Sequence, residues 1–134
     1  MFKLSAAVLL VALVAACTTS PTNRRQVVLY SEAEMARQGE DAYRQMQSEL
    51  TVSSNPRETT YVQCVADYVI AALEPTQQAA NRWEVTVFDS PQANAFALPG
   101  GKIGVYTGLF DVAYNQGQLA AVLAHEVGHV LAQH

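Results

Sequence analysis

His125-Glu126-Val127-Gly128-His129, near the end of a chain of 134 residues, constrains the fold more than any other stretch. It is an H-E-x-x-H sequence, and it has a chemical meaning only on a helix. Residues four apart on an α-helix differ by about 40° in direction and lie about one turn apart. Two imidazoles on one face can then grip a single Zn²⁺. Glu126 lies about 100° from His125 and about 60° from His129, within reach of a water at such a metal. Zinc lowers the pKa of a bound water, and a carboxylate takes its proton as the water attacks a carbonyl.

The flanking residues predict that helix. Asn115 is a cap, with Gln118 three residues on reaching back as in a capping box. Ala120, Ala121, Leu123, Ala124, Leu131 and Ala132 are good helix formers. With His125 at zero, Leu119, Leu123, Val127, Val130 and Leu131 fall between roughly 120° and 240°. The apolar back therefore faces a core and the other face carries the motif. Gly128 costs the helix about 1 kcal/mol against Ala, so close approach of another backbone is expected there. The competing reading is a solvated helix face, since H-E-x-x-H arises by chance in on the order of one such chain in several hundred. The right helix, the right face and three histidines confined to the last ten residues favour a zinc site.

Half of the residues are apolar, enough for one folded domain. The net charge is −4 and no basic stripe exists, which argues against a nucleic-acid partner. Met1-Phe2-Lys3 opens a leader whose apolar stretch, Leu4 to Ala16, is too short for a comfortable membrane span. Leu13-Val14-Ala15-Ala16-Cys17 resembles a bacterial lipoprotein signal, with cleavage before Cys17 and lipid on its sulfur. An ordinary cleaved signal with an incidental cysteine is the alternative. Residues 1–16 are thus expected as a signal peptide and 17–30 as a lipidated N-terminus and tether. Several acyl chains would anchor the protein stably where one would not. Thr18, where aspartate would suggest inner-membrane retention, points to the outer membrane, facing the periplasm.

Ser31-Glu32-Ala33-Glu34 is a capping box opening a helix to about Leu50, with an apolar stripe of Met35, Gly39, Ala42, Met46 and Leu50. After a loop at Thr51 to Arg57, a second helix runs from about Glu58 to Leu73 on Val62, Val65, Val69 and Leu73, with Pro75 beyond its end. Cys64 in that helix is expected to be a buried structural thiol. Trp83 to Phe88 alternates as a strand. Asn94 to Leu98 and Lys102 to Thr107 are two more, joined by a hairpin turn at Pro99-Gly100-Gly101. A short helical segment, Leu109 to Tyr114, leads into the motif helix.

Two stretches, Asn94-Ala-Phe-Ala-Leu-Pro-Gly-Gly-Lys-Ile-Gly-Val-Tyr-Thr-Gly-Leu-Phe110 and Leu119-Ala-Ala-Val-Leu-Ala-His-Glu-Val-Gly-His129, together resemble the zinc peptidase family of HtpX and the CAAX prenyl endopeptidases. The likeness is greatest to its soluble bacterial lipoprotein branch, covers about residues 25 to 134, and includes Gly39-Glu40. It implies an α+β, zincin-like metallopeptidase domain with N-terminal helices, a small sheet with an edge strand, and an active-site helix. It also implies His125 and His129 as zinc ligands, Glu126 as the base, and extended substrate added as a strand along Asn94, Ala95 and Phe96.

Members of the family supply a third ligand, a glutamate, from a helix further along, and a catalytic zinc normally has three protein ligands. His134 falls about 180° from His125 on a continued helix, on the apolar back, which disfavours it as that ligand. Residues 31–134 are therefore expected to be the N-terminal portion of the domain, its C-terminal part missing, with Leu123, Val127 and Val130 left partly exposed and little activity by themselves. The expected function is a zinc metalloendopeptidase of the bacterial envelope acting on misfolded or surplus proteins. The alternatives are a non-catalytic chaperone-like or assembly lipoprotein that keeps the fold, and a structural lipoprotein with an accidental motif.

Overall fold

The computed structural model describes residues 17–19, 25–27 and 29–133. In chain order the elements are β1 (Cys17–Thr19), β2 (Arg25–Val27), α1 (Glu32–Glu49), α2 (Pro56–Ala71), α3 (Pro75–Ala79), β3 (Glu84–Phe88), β4 (Ala95–Leu98), β5 (Lys102–Tyr106) and α4 (Gln116–Leu131). A 3₁₀ turn over Thr107–Asp111 follows β5. The expected signal peptide and His134 lie outside the described residues, as does the side chain of Cys17. Among the described residues no helix is long and apolar enough to cross a membrane.

β5 is the middle strand of a three-stranded sheet, parallel to β3 and antiparallel to β4. Register fixes its two faces. Val85 pairs with Ile103 and Val87 with Val105, while Ala95 and Ala97 lie opposite Val105 and Ile103. Side chains alternate along a strand, so these six share one face. α2 and α4 cover that face, and Val62, Val65 and Val69 meet Leu119, Leu123 and Val127 over it in one core. Leu123 and Val127 are 0% and 1% exposed, so the back of α4 is covered by this chain's own sheet and α2, against expectation. Only Val130 and Leu131, beyond that overlap, remain half-buried.

α1 packs on the opposite face. Tyr43 is fully buried, and its hydroxyl lies 2.6 Å from Thr86 Oγ1 and donates to the Ile103 carbonyl at 3.2 Å. Lys102 is only 4% exposed. Its Nζ donates to the Arg82 carbonyl at 2.9 Å and meets Glu40 Oε2 at 3.0 Å and Glu84 Oε2 at 3.2 Å. Arg44 forks onto Glu84 at 2.9 and 2.8 Å and reaches Glu40 at 2.8 Å. Every donor of the buried ammonium is thus occupied, which is what burying a charge requires. The Lys102 hydrogen bond holds the Glu40 carboxyl below its ordinary range, and the Arg44 fork does the same for Glu84.

Close backbone approach fixes where α1 lies. A Cβ on Gly39 would collide with the Pro99 carbonyl, and one on Gly100 would press on Ala36. Pro99 and Gly100 are the middle residues of a type II turn, with the Gly101 N–H donating to the Leu98 carbonyl at 3.2 Å and Gly100 at φ +88°. The predicted hairpin therefore also seats the first helix.

Several expectations are corrected. The buried stripe of α1 runs through Gly39 and Tyr43, while Ala42 and Leu50 are exposed, because Tyr43 finds partners for its hydroxyl and so can be core. Cys64 is exposed rather than buried, since it flanks the Val62–Val65–Val69 stripe. Nothing lies within 4 Å of a Cβ built on Gly128, so no backbone approaches there. Gln118 does not close a capping box. Its side chain accepts from Tyr114 N–H, while Asn115 Oδ1 accepts from Gln118 N–H at 3.0 Å. Within the segment expected as a tether, β1 and β2 pair as an antiparallel ribbon, which leaves the tether reading untested.

Candidate metal centre and cleft

α4 presents the motif as its face requires. His125 is exposed, and Glu126 and His129 are half-buried. The two Nε2 atoms converge to 3.0 Å, with ring planes perpendicular and centroids 4.6 Å apart. Two nitrogens each about 2.0–2.1 Å from one tetrahedral zinc lie roughly 3.3 Å apart, so the pair fits a shared metal with a small opening of the rings. Among the described residues no cluster of three or more His, Cys, Asp or Glu side chains is arranged to hold a metal. His125 and His129 could supply two of the usual three protein donors.

β4 is the edge strand next to α4, as expected, and α4 packs on it. The Asn94 carbonyl accepts from Tyr106 N–H at 3.0 Å while its own N–H donates to the Gln92 carbonyl at 3.1 Å, and by alternation Phe96 and Leu98 turn their backbone polar groups toward β5. The N–H and C=O groups of Ala95 and Ala97 face outward. The side chains of the expected substrate-binding trio do not gather. Asn94 is exposed ahead of β4, and Ala95 is buried under α4. Phe96 points to the α1 face, where it fills the notch left by Gly104 and stacks near Phe88 and Tyr106 at 6.2 and 6.1 Å. What β4 offers a ligand is its backbone rather than the Phe96 ring.

His129 also lines a cleft of about 410 Å³, with Val130 and Leu131 at the end of α4 and Gln133 past it. Met35 and Ala36 of α1 form the opposite lip, and Ala97, Pro99 and Gly100 form the floor with α3 alongside. Gln133 sits just past the helix at φ +57° and donates to Glu32 Oε1 at 2.7 Å, tying the two helix ends together. No sequence signal announced this cleft. Its walls come from residues up to 101 positions apart, and α3 was not foreseen because Pro75 read only as a stop.

Known proteins resemble the chain in this region and beyond. Residues 56–134 match Peptidase family M48. The mitochondrial metalloendopeptidase OMA1 of Schizosaccharomyces pombe is 37% identical over 117 residues, which is 84% of this chain and 34% of that protein. OMA1 of Danio rerio is 33% identical, over 82% of this chain and 24% of its own length. The β-barrel assembly-enhancing protease of Yersinia pestis is 31% identical, over 77% and 20%. The chain thus spans about a third or less of the length of these relatives. With the family match taking in more than half of its residues, including the whole of α4, the chain belongs to peptidase family M48.

Proposed function

We propose that this chain carries the metal-binding and catalytic helix of a zinc metalloendopeptidase. The convergence of His125 Nε2 and His129 Nε2 to 3.0 Å carries the reading, because it brings two imidazole nitrogens of one helix face close to the separation that a shared metal requires. Zinc held there would supply a Lewis acid and a lowered water pKa. Glu126, one residue on from the first ligand, takes the proton of the attacking water and returns it to the leaving amine. The outward amides of Ala95 and Ala97 pair with an extended substrate, as a strand added to the sheet edge. The resemblance to HtpX and the CAAX prenyl endopeptidases implies a glutamate as the third protein ligand, and among the described residues none is gathered with His125 and His129.

The setting is part of the proposal. The leader ending at Cys17 supports a lipid-anchored protein of the bacterial envelope, on the outer membrane facing the periplasm. Relatives named for enhancing β-barrel assembly support misfolded or surplus envelope proteins as substrates. A non-catalytic assembly factor is the second reading, favoured by the two-donor site among the described residues. The test is cleavage of a reduced, unfolded protein by zinc-loaded protein, with and without Glu126→Gln. Chelator-sensitive cleavage that the variant loses by about 10²–10⁴-fold supports the peptidase. Equal rates in both would remove Glu126 from the role of base.

A further inference from the structure

We propose that the cleft beside His129 is a specificity subsite for a bulky uncharged side chain of the substrate, with Met35 and Ala36 of α1 as its selecting lip. The inference rests on the peptidase reading of α4 and adds the substrate class. Three observations carry it. First, the cleft is continuous with the proposed chemistry at both ends, since His129 and Ala97 are both in its wall. A peptide paired along β4 therefore runs past its mouth. Second, its volume of about 410 Å³ lies at the low end of ligand sites, roughly 300–1,000 Å³. That is room for an aromatic or long aliphatic side chain with the backbone that bears it. Third, among the described residues the ionisable side chains lining it are Glu32 and His129, with no Lys or Arg to pair an acidic substrate side chain. Met35, Ala36, Pro99 and Leu131 supply apolar wall beside the uncharged polar Thr76, Gln77, Asn81 and Gln133.

The lip is also built to stay in place. Ala36 leaves no more than tight room for a side chain on Gly100, Gly39 lies flush against Pro99, and Glu32 accepts from Gln133 at 2.7 Å. The first two turns of α1 are thus held at three points, so little ordering remains to be done on binding. A pocket with so little charge in its wall discriminates by size and desolvation.

The test uses the zinc-loaded chain and fluorescein-labelled unstructured peptides that differ at one central position: leucine, phenylalanine, glycine or aspartate. Anisotropy gives Kd for each, and zinc content is measured on the same preparation. Leucine and phenylalanine peptides should bind about 10-fold or more tighter than glycine and aspartate peptides. Ala36→Trp, which fills the cleft, should bring that ratio toward one, and Met35→Ala, which removes wall without crowding, should also reduce it. Tyr68→Ser, on the exposed side of α2, should leave the ratio as it is. Equal affinities for all four peptides, no binding of any, or a ratio unmoved by both cleft variants would overturn the subsite. Zinc stoichiometry that fails while the leucine preference persists would strike the metal reading and leave the subsite standing.

Discussion

Gly39 lies so close to Pro99 that a single added carbon would strike the proline carbonyl, and this contact sets the first helix on the β4–β5 turn. Gly39→Ala should therefore destabilise the protein by about 1–3 kcal/mol, as overpacking does, although alanine is the better helix former. Gly128→Ala should act in the opposite sense, raising stability by up to about 1 kcal/mol, because open space surrounds that position. Urea unfolding midpoints of the two variants check both signs.

Tyr43 is the polar anchor of α1. Tyr43→Phe removes the hydroxyl contacts to Thr86 and Ile103 and should cost about 1 kcal/mol, while Gln47 continues to donate to Thr86 Oγ1 at 2.8 Å. Burial pushes the phenol up to about 12 from an ordinary value of 10.0. A raised folded-state pKa means the folded protein keeps its proton longer than the unfolded chain. Its contribution is whole below pH 10 and is lost as pH rises toward 12. Thermal melts across that window should show an alkaline decline that Tyr43→Phe lessens.

The Glu40–Lys102–Glu84–Arg44 cluster gives the acid limb. Both carboxyls are held below their ordinary 4.5, Glu40 chiefly by Lys102 and Glu84 chiefly by Arg44. The unfolded chain takes up these protons first, so the contribution is present above pH 4.5 and fades as pH falls through the folded values. Glu40→Gln and Glu84→Gln should each flatten stability between pH 5 and lower values, to an extent limited by the solvent around both carboxyls. A dependence as steep as in the parent protein would remove the cluster from that role.

How far the sequence could be read depended on whether the signal was local. Leu119, Leu123 and Val127 repeat at helical spacing, so the buried back of α4 and the outward histidines were legible. So was the β4–β5 hairpin, whose Pro99-Gly100 pair dictates its own turn. The parallel pairing of β3 with β5 was not, because no local residue encodes a partner some eighteen positions away. Tyr43 was passed over because a phenol counts as core only when Thr86 and Ile103 wait for it. Gly39 and Gly128 read alike as helix glycines, yet one meets a backbone and the other open space. Substrate residues assigned by resemblance to Asn94, Ala95 and Phe96 divide between the two faces once strand alternation is applied.

The proposed lipid anchor is tested at Cys17. Cys17→Ser should move the protein from the membrane fraction of a bacterial envelope preparation to the soluble one, because acyl chains on that sulfur would supply the hold. Parent protein found wholly soluble, with an unmodified Cys17, would contradict the lipid anchor.

In the proposed centre His125 and His129 share one zinc ion. X-ray absorption at the zinc edge, with metal content by mass spectrometry, tests it on the parent protein and on His125→Ala, His129→Ala and Glu126→Gln. The prediction is zinc with imidazole nitrogens at about 2.0–2.1 Å in the parent and in Glu126→Gln, and loss of most of that zinc in either histidine variant. A parent protein that folds without taking up zinc, or a histidine variant that holds it as well as the parent does, would contradict the claim.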